Sequence, residues 1–210
     1  MKLYGWLAGL TLLAAGGCGG DSGSSPAPID FGNNNSNVVV ALGDSITEGV
    51  DGGDTPWPAR LATLSGKNVI NAGVGGEESS GALNRIGGLL DDYKPGYIII
   101  FTGANDAIRD LDTDITVGNI LAMVQAAKAN KTMPIVATLL PMVEEHLIYN
   151  SAADRISAGV RNIAKSENVM LVELNAEFTD PDNELIFDGL HPNDLGNQII
   201  ALAFNDGLPR

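Results

Sequence analysis

The sequence predicts an α/β domain, a three-layer α/β/α sandwich built on a five-stranded parallel sheet. Three observations predict it. Short apolar runs rich in β-branched residues recur at residues 38–42, 69–72, 97–101, 135–139 and 169–174. These runs are continuous rather than alternating, as expected of strands covered on both faces. Segments of helical periodicity separate them, and strand alternating with helix implies right-handed crossovers between parallel strands.

The N-terminus stands apart from this pattern. Lys2 precedes an apolar stretch over residues 3–15, too short to span a bilayer as a helix but suited to the core of a signal peptide. Ala15-Gly16-Gly17 then sets small residues before Cys18, the only cysteine. The arrangement resembles a bacterial lipoprotein cleavage site, in which residues 1–17 are removed and Cys18 is lipidated. Ala15 stands where such sites usually carry leucine, and plain secretion with cleavage nearby is the alternative. One cysteine allows no internal disulfide. Residues 18–37, rich in Gly, Ser, Pro and Asn, read as a flexible linker of about 24 Å root-mean-square reach, and the folded domain is expected over residues 38–210. With 44% hydrophobic and 18% charged residues in 210, the chain suits one globular domain. A formal charge of −14 argues against nucleic acid or an anionic bilayer surface as an electrostatic partner. Membrane contact is expected only through the N-terminal lipid, in an exported protein of the periplasm or cell envelope.

The first strand runs into Gly43-Asp44-Ser45-Ile46-Thr47-Glu48-Gly49. Glycines on both sides let a tight turn hold Ser45 at the mouth of the sheet, near a helix N-terminus. A capped strand–helix turn explains these residues equally simply, whereas a phosphate-binding loop lacks its lysine. A helix over 57–64 opens after Thr55-Pro56, a cap-and-proline start. The second strand ends in Asn71-Ala72-Gly73-Val74-Gly75-Gly76, which exposes backbone N–H groups to close approach or simply makes a flexible turn. The helix over 80–93 carries Leu83, Ile86, Leu89 and Leu90 at helical spacing. The third strand ends in Thr102-Gly103-Ala104-Asn105-Asp106. Asn105 either aims its amide at a substrate oxygen or forms an Asx turn, and Asp106 reads as a cap for the next segment. The helix over 115–130 repeats Ile120, Val124 and Ala127 and stops before Pro134. After the fourth strand, Met142 and Val143, with Tyr149 further on, wall an acyl pocket or pack ordinarily. His146, between Glu145 and Leu147, reads as a surface residue. The helix over 152–166 sets Ile156, Val160 and Ile163 on one stripe. Asp188-Gly189-Leu190-His191-Pro192-Asn193 leads into the last helix, over 193–204.

Sites in such sheets gather beyond the carboxyl ends of the strands, where each of these stretches falls. A hydroxyl nucleophile needs a base to take its proton, and the base needs an acceptor that fixes its tautomer. The chain has two histidines, and His191 stands three residues after Asp188, close enough to share a turn. Ser45, His191 and Asp188 are therefore the candidates for nucleophilic chemistry. No metal-ligand spacing or dinucleotide fingerprint is present in the sequence, so neither a metal nor another cofactor is expected.

GDSIT, NAGVGG, GAND and DGLHPN, in that order, resemble the four sequence blocks of the SGNH (GDSL-type) esterases and lipases. The resemblance spans residues 38–204. Trp57-Pro58 and Asn105-Asp106-x-x-Arg109 are further similar to the small bacterial acyl thioesterases, arylesterases and lysophospholipases. The resemblance implies the flavodoxin-like SGNH fold and hydrolysis of carboxylic esters or thioesters of short acyl chains through an acyl-enzyme. It implies Ser45 as nucleophile, His191 as general base and Asp188 as the group that orients it. The implied oxyanion donors are the Ser45 and Gly76 backbone N–H groups and the Asn105 side-chain amide. A carbohydrate O-acetyl esterase of the same fold is an alternative. A binding lipoprotein without chemistry is the reading from another class, and the intact set of Ser45, Asn105, Asp188 and His191 argues against it.

Overall fold

The computed structural model describes residues 29–50, 53, 55–178 and 185–209. The expected signal segment, Cys18 and the first part of the linker lie outside the described residues. Five strands form one parallel sheet: β1 (Asn35–Gly43), β2 (Asn68–Gly73), β3 (Pro95–Phe101), β4 (Met133–Ala137) and β5 (Met170–Val172). Their spatial order is β2-β1-β3-β4-β5, the doubly wound order in which the chain reverses its direction of travel between β1 and β3. Helices α2 (Trp57–Ser65) and α8 (Asp194–Gly207) pack together on one face. Helices α3 (Ser79–Tyr93), α5 (Thr113–Ala129) and α6 (Asn150–Glu167) pack in sequence on the other.

Burial follows strand position. Val39, Val40, Ala41 and Leu42 of β1 and Ile98 and Ile99 of β3 are wholly buried, because these central strands are covered on both faces. β2, at the edge, is only partly buried along most of its length. The aromatic heart of the α2–α8 face is Trp57 against Phe204, ring centroids 4.7 Å apart, with Phe101 of β3 edge-on to Phe204 at 6.2 Å.

Several boundaries differ from the sequence expectation. β1 begins at Asn35 rather than residue 38, and Phe31 packs edge-on against Tyr97 at 5.2 Å. An ion pair from Asp30 to Lys131, at 2.7 Å, fastens the same segment. The end of the expected linker therefore belongs to the fold. β4 stops at Ala137, with one last ladder bond to β5 before the chain turns to a side-chain acceptor. Thr138 N–H donates to Val172 O at 3.1 Å, and Leu139 N–H to Ser157 Oγ at 3.1 Å. β5 is only three residues long, and Leu174, expected in the strand, instead opens the short helix α7 (Leu174–Glu177).

Candidate active site

The loops that follow β1, β2 and β3 leave the sheet side by side. Gly43, the last residue of β1, pairs with Gly73 on one side and Phe101 on the other. This is the reversal point of the sheet, where parallel α/β folds open a crevice. Immediately beyond it, Ser45 begins a single-turn helix, α1 (Ser45–Glu48). The Asp44 carboxylate caps that turn by accepting the Ile46 N–H at 3.1 Å. Gly73 makes the close packing of this turn feasible, since a Cβ there would lie 2.0 Å from the Glu48 nitrogen.

The other half of the site comes from the segment before α8. Asp188 folds it into a turn, its Oδ1 accepting the N–H groups of Leu190 at 3.0 Å and His191 at 2.7 Å. Gly189, at φ +84°, permits the bend, and its carbonyl accepts the Val143 N–H at 2.9 Å. An antiparallel bridge between Ile186 and Pro192 closes the loop, and Asn193 caps α8 by accepting the Gly196 N–H at 2.9 Å. The imidazole is thereby held at both ends: Nδ1 lies 2.7 Å from Asp188 Oδ2 and Nε2 lies 2.8 Å from Ser45 Oγ. Burial would raise the Asp188 carboxyl, but the His191 amide and imidazole and the Leu190 amide outweigh it and hold the group below its ordinary range. An ionised carboxylate at Nδ1 favours the tautomer with the proton on that nitrogen, leaving Nε2 to accept from the hydroxyl.

Asn105 stands in α4 (Ala104–Ile108), just beyond β3. Its amide donates one hydrogen to Glu77 O at 3.1 Å, leaving the second for another acceptor. Gly76 adopts φ +72°, and its carbonyl accepts from Arg109 Nη1 at 2.9 Å. Among the described residues, the backbone N–H groups of Ser45 and Gly76 donate to no acceptor. Such N–H groups at the mouth of a crevice are suited to an oxygen that gains negative charge.

Other positions differ from expectation. Asp106 does not cap the following helix. It reaches back to α3, accepting the Ser79 N–H at 2.9 Å and the Ser79 hydroxyl, and it also accepts the Thr116 hydroxyl at 3.1 Å. His146 is half-buried rather than at the surface, with its Nδ1 enclosed near Gly189. Met142 and Val143 are 1% and 6% exposed, and Tyr149 packs partly buried against the core. Phe187 was not singled out by the sequence reading, yet its half-exposed ring stacks on His191 with centroids 6.2 Å apart. An aromatic residue directly before Asp188 was the available signal. Among the described residues, no cluster of three or more His, Cys, Asp or Glu side chains is placed to hold a metal ion.

The sequence profile of the GDSL-like lipase/acylhydrolase family matches residues 41–199, which contain every residue of this crevice. The chain belongs to that family. This GDSL-type protein is 28% identical over 169 residues to the thioesterase 1/protease 1/lysophospholipase L1 of Escherichia coli (strain K12), covering 78% of this chain and 79% of that protein. It is 32% identical over 214 residues to the lipoprotein YqeF of Bacillus subtilis (strain 168), covering 80% of this chain and 88% of that one. Among solved structures, a G-D-S-L family protein of Desulfitobacterium hafniense DCB-2 superposes with a TM-score of 0.75 at 27% identity, over 82% of this chain and all of its own, 100%. The GDSL-type chain is a carboxylic ester hydrolase, carried on the SGNH fold.

Proposed function

We propose that Ser45, His191 and Asp188 act as the nucleophile, general base and orienting carboxylate of a serine esterase that cleaves short acyl esters or thioesters. The observation that carries this reading is the unbroken chain from Asp188 Oδ2 to His191 to Ser45 Oγ, at 2.7 and 2.8 Å. Ser45 Oγ attacks the acyl carbon as His191 Nε2 takes its proton, and the carbonyl oxygen becomes an oxyanion. The backbone N–H groups of Ser45 and Gly76 and the Asn105 amide donate to that oxygen, each contributing about 3–4 kcal/mol to the transition state. As the tetrahedral intermediate collapses, His191 returns the proton to the departing alkoxide or thiolate. Water then gives a proton to His191 and attacks the acyl-enzyme, releasing the acid and restoring the serine hydroxyl.

The burial of Met142 and Val143 supports a short acyl group, since neither side chain is open to line a long channel. The name of the Escherichia coli relative, which joins thioesterase to lysophospholipase, supports both classes of leaving group. Labelling with a fluorophosphonate should mark the wild-type protein and be lost in Ser45→Ala. Labelling that persists in the variant would move the nucleophile elsewhere. Nitrophenyl esters from acetyl to decanoyl should be turned over fastest at two to four acyl carbons, whereas release of acetate from acetylated xylan at a higher kcat/KM would favour a glycan O-acetyl esterase.

We also propose that Cys18 carries a lipid that tethers the enzyme to the cell envelope. The lipoprotein name of the Bacillus relative supports this, and no helix among the described residues is long and apolar enough to cross a membrane. Incorporation of radiolabelled palmitate should disappear in Cys18→Ser.

A further inference from the structure

Arg85 lies on α3, outside the four sequence blocks, and its guanidinium reaches the carboxyl edge of two strands. Its Nη2 donates to Ala72 O of β2 at 2.7 Å and to Gly43 O of β1 at 3.2 Å. The same group grips Glu77, with Nε 2.9 and 3.0 Å from the two carboxylate oxygens and Nη2 2.7 Å from Oε2. The pair is largely enclosed, its side chains 26% and 13% exposed for Arg85 and Glu77. Gly81, in the first turn of α3, leaves the space for the Glu77 side chain, since a Cβ there would lie 2.7 Å from Glu77 Cγ.

The Gly43 and Glu77 contacts lead to the oxyanion donors. Gly43 is two residues before Ser45, and its carbonyl also accepts the Val74 N–H at 3.1 Å. Glu77 directly follows Gly76, so anchoring its side chain restrains the backbone on the carboxyl side of the glycine that supplies the second donor. The backbone carbonyl of Glu77 accepts the Asn105 amide at 3.1 Å, which orients the third donor. A planar guanidinium can hold two carbonyls and a carboxylate at once, a task the single point of a lysine ammonium does not perform.

We propose that Arg85 and Glu77 are a positioning pair that sets the Ser45, Gly76 and Asn105 donors in register around the oxyanion. The proposal rests on the oxyanion assignment made above. Neither residue touches substrate, and both act through the loops they join. Donors that bind charge developed only in the transition state contribute to kcat and leave ground-state binding unchanged. Loosening them by a fraction of an ångström should therefore lower kcat about 10- to 100-fold, less than the ~10²–10³ expected for deleting a donor outright.

The test compares Arg85→Met, Arg85→Lys and Glu77→Gln with wild type on a nitrophenyl ester, alongside urea melting to establish the folded fraction. In folded Arg85→Met, kcat should fall about 10- to 100-fold with KM within about twofold, and Arg85→Lys should recover only part of that loss. The acid limb of the pH–rate profile should keep its midpoint, because the His191–Asp188 contact is untouched. Glu77→Gln keeps the shape of the pair and loses its charge, and should show a smaller kcat loss of the same kind. If Arg85→Met does not fold, Glu77→Gln decides. Wild-type kcat in either folded variant, or a loss confined to KM, overturns the positioning role. Ser45→Ala, run in parallel, separates the two readings: an inactive Ser45→Ala beside a fully active, folded Arg85→Met refutes the pair alone, whereas an active Ser45→Ala refutes the assignment on which it rests.

Discussion

Asp44 places a carboxyl group in the interior, 2% exposed, with the Ile46 amide as its donor. Burial pushes that carboxyl up to about 7, against the opposing pull of the Ile46 amide and of His191. An acid whose folded value is raised from 3.8 favours the native state most at low pH. That contribution is complete below the unfolded value and is lost as pH rises through the folded one. A shift of this size corresponds to something on the order of 4 kcal/mol between its limits. Asp44→Asn keeps an oxygen for the Ile46 amide and cannot titrate. The variant should therefore gain stability over wild type as pH climbs from 4 to 8, seen as urea midpoints that diverge across that range; parallel midpoints would contradict it. Asp188 presents the opposite case, a carboxylate held low by the amides and imidazole around it. Asp188→Asn should reverse the imidazole tautomer and lower kcat by about 10⁴-fold with little change in melting. A loss of only a few fold would show that the orientation of His191 is set by the loop rather than by this carboxylate.

At the level of the elements, Gly73 is the sharpest constraint. β2 leaves the sheet so close to α1 that an added methyl group would overlap the Glu48 nitrogen at 2.0 Å, and backbone cannot move aside as a flexible side chain can. Gly73→Ala should cost about 1–3 kcal/mol in chemical denaturation and depress kcat as α1 carries Ser45 away from His191. The central strands were legible in the sequence because burial on both faces writes an uninterrupted apolar run, as in Val38-Val39-Val40-Ala41-Leu42. The long helices were legible from repeats such as Ile156, Val160 and Ile163. Helix α4, five residues long, was not, because little more than one turn is too short to display a period, and the four-residue α1 was legible only from the capped turn at Ser45. The positions of Ser45 and Asn105 could be read from residue type and strand-end placement, and those of Asp188 and His191 from their three-residue spacing. Arg85 could not, because an arginine on a helix normally signals a solvated face, and only three-dimensional packing turns it toward the strand carbonyls. His146 departs for the converse reason: two neighbouring acids suggested solvent, while the return of the Gly189 loop covers its Nδ1.

For the molecule as a whole, the packing of α8 decides whether the site exists. Phe204 is wholly buried between Trp57 and Phe101. The Trp57 backbone N–H donates to the side-chain Oδ1 of the buried Asn197 at 3.0 Å, a second tie between α2 and α8. Phe204→Ala should cost about 3–5 kcal/mol of unfolding free energy, measured by calorimetry or urea, with kcat falling as the segment leading into α8 loosens. The Ser45–His191 contact joins residues 146 positions apart, so nothing local can assemble it. Trp57 is one of two tryptophans, and the other, Trp6, lies in the expected signal segment. Its indole is therefore a built-in reporter of the moment the C-terminal helix docks. In a stopped-flow refolding trace, the change in its emission and the return of ester turnover should rise together, because His191 reaches Ser45 from the segment that leads into this last fourteen-residue helix.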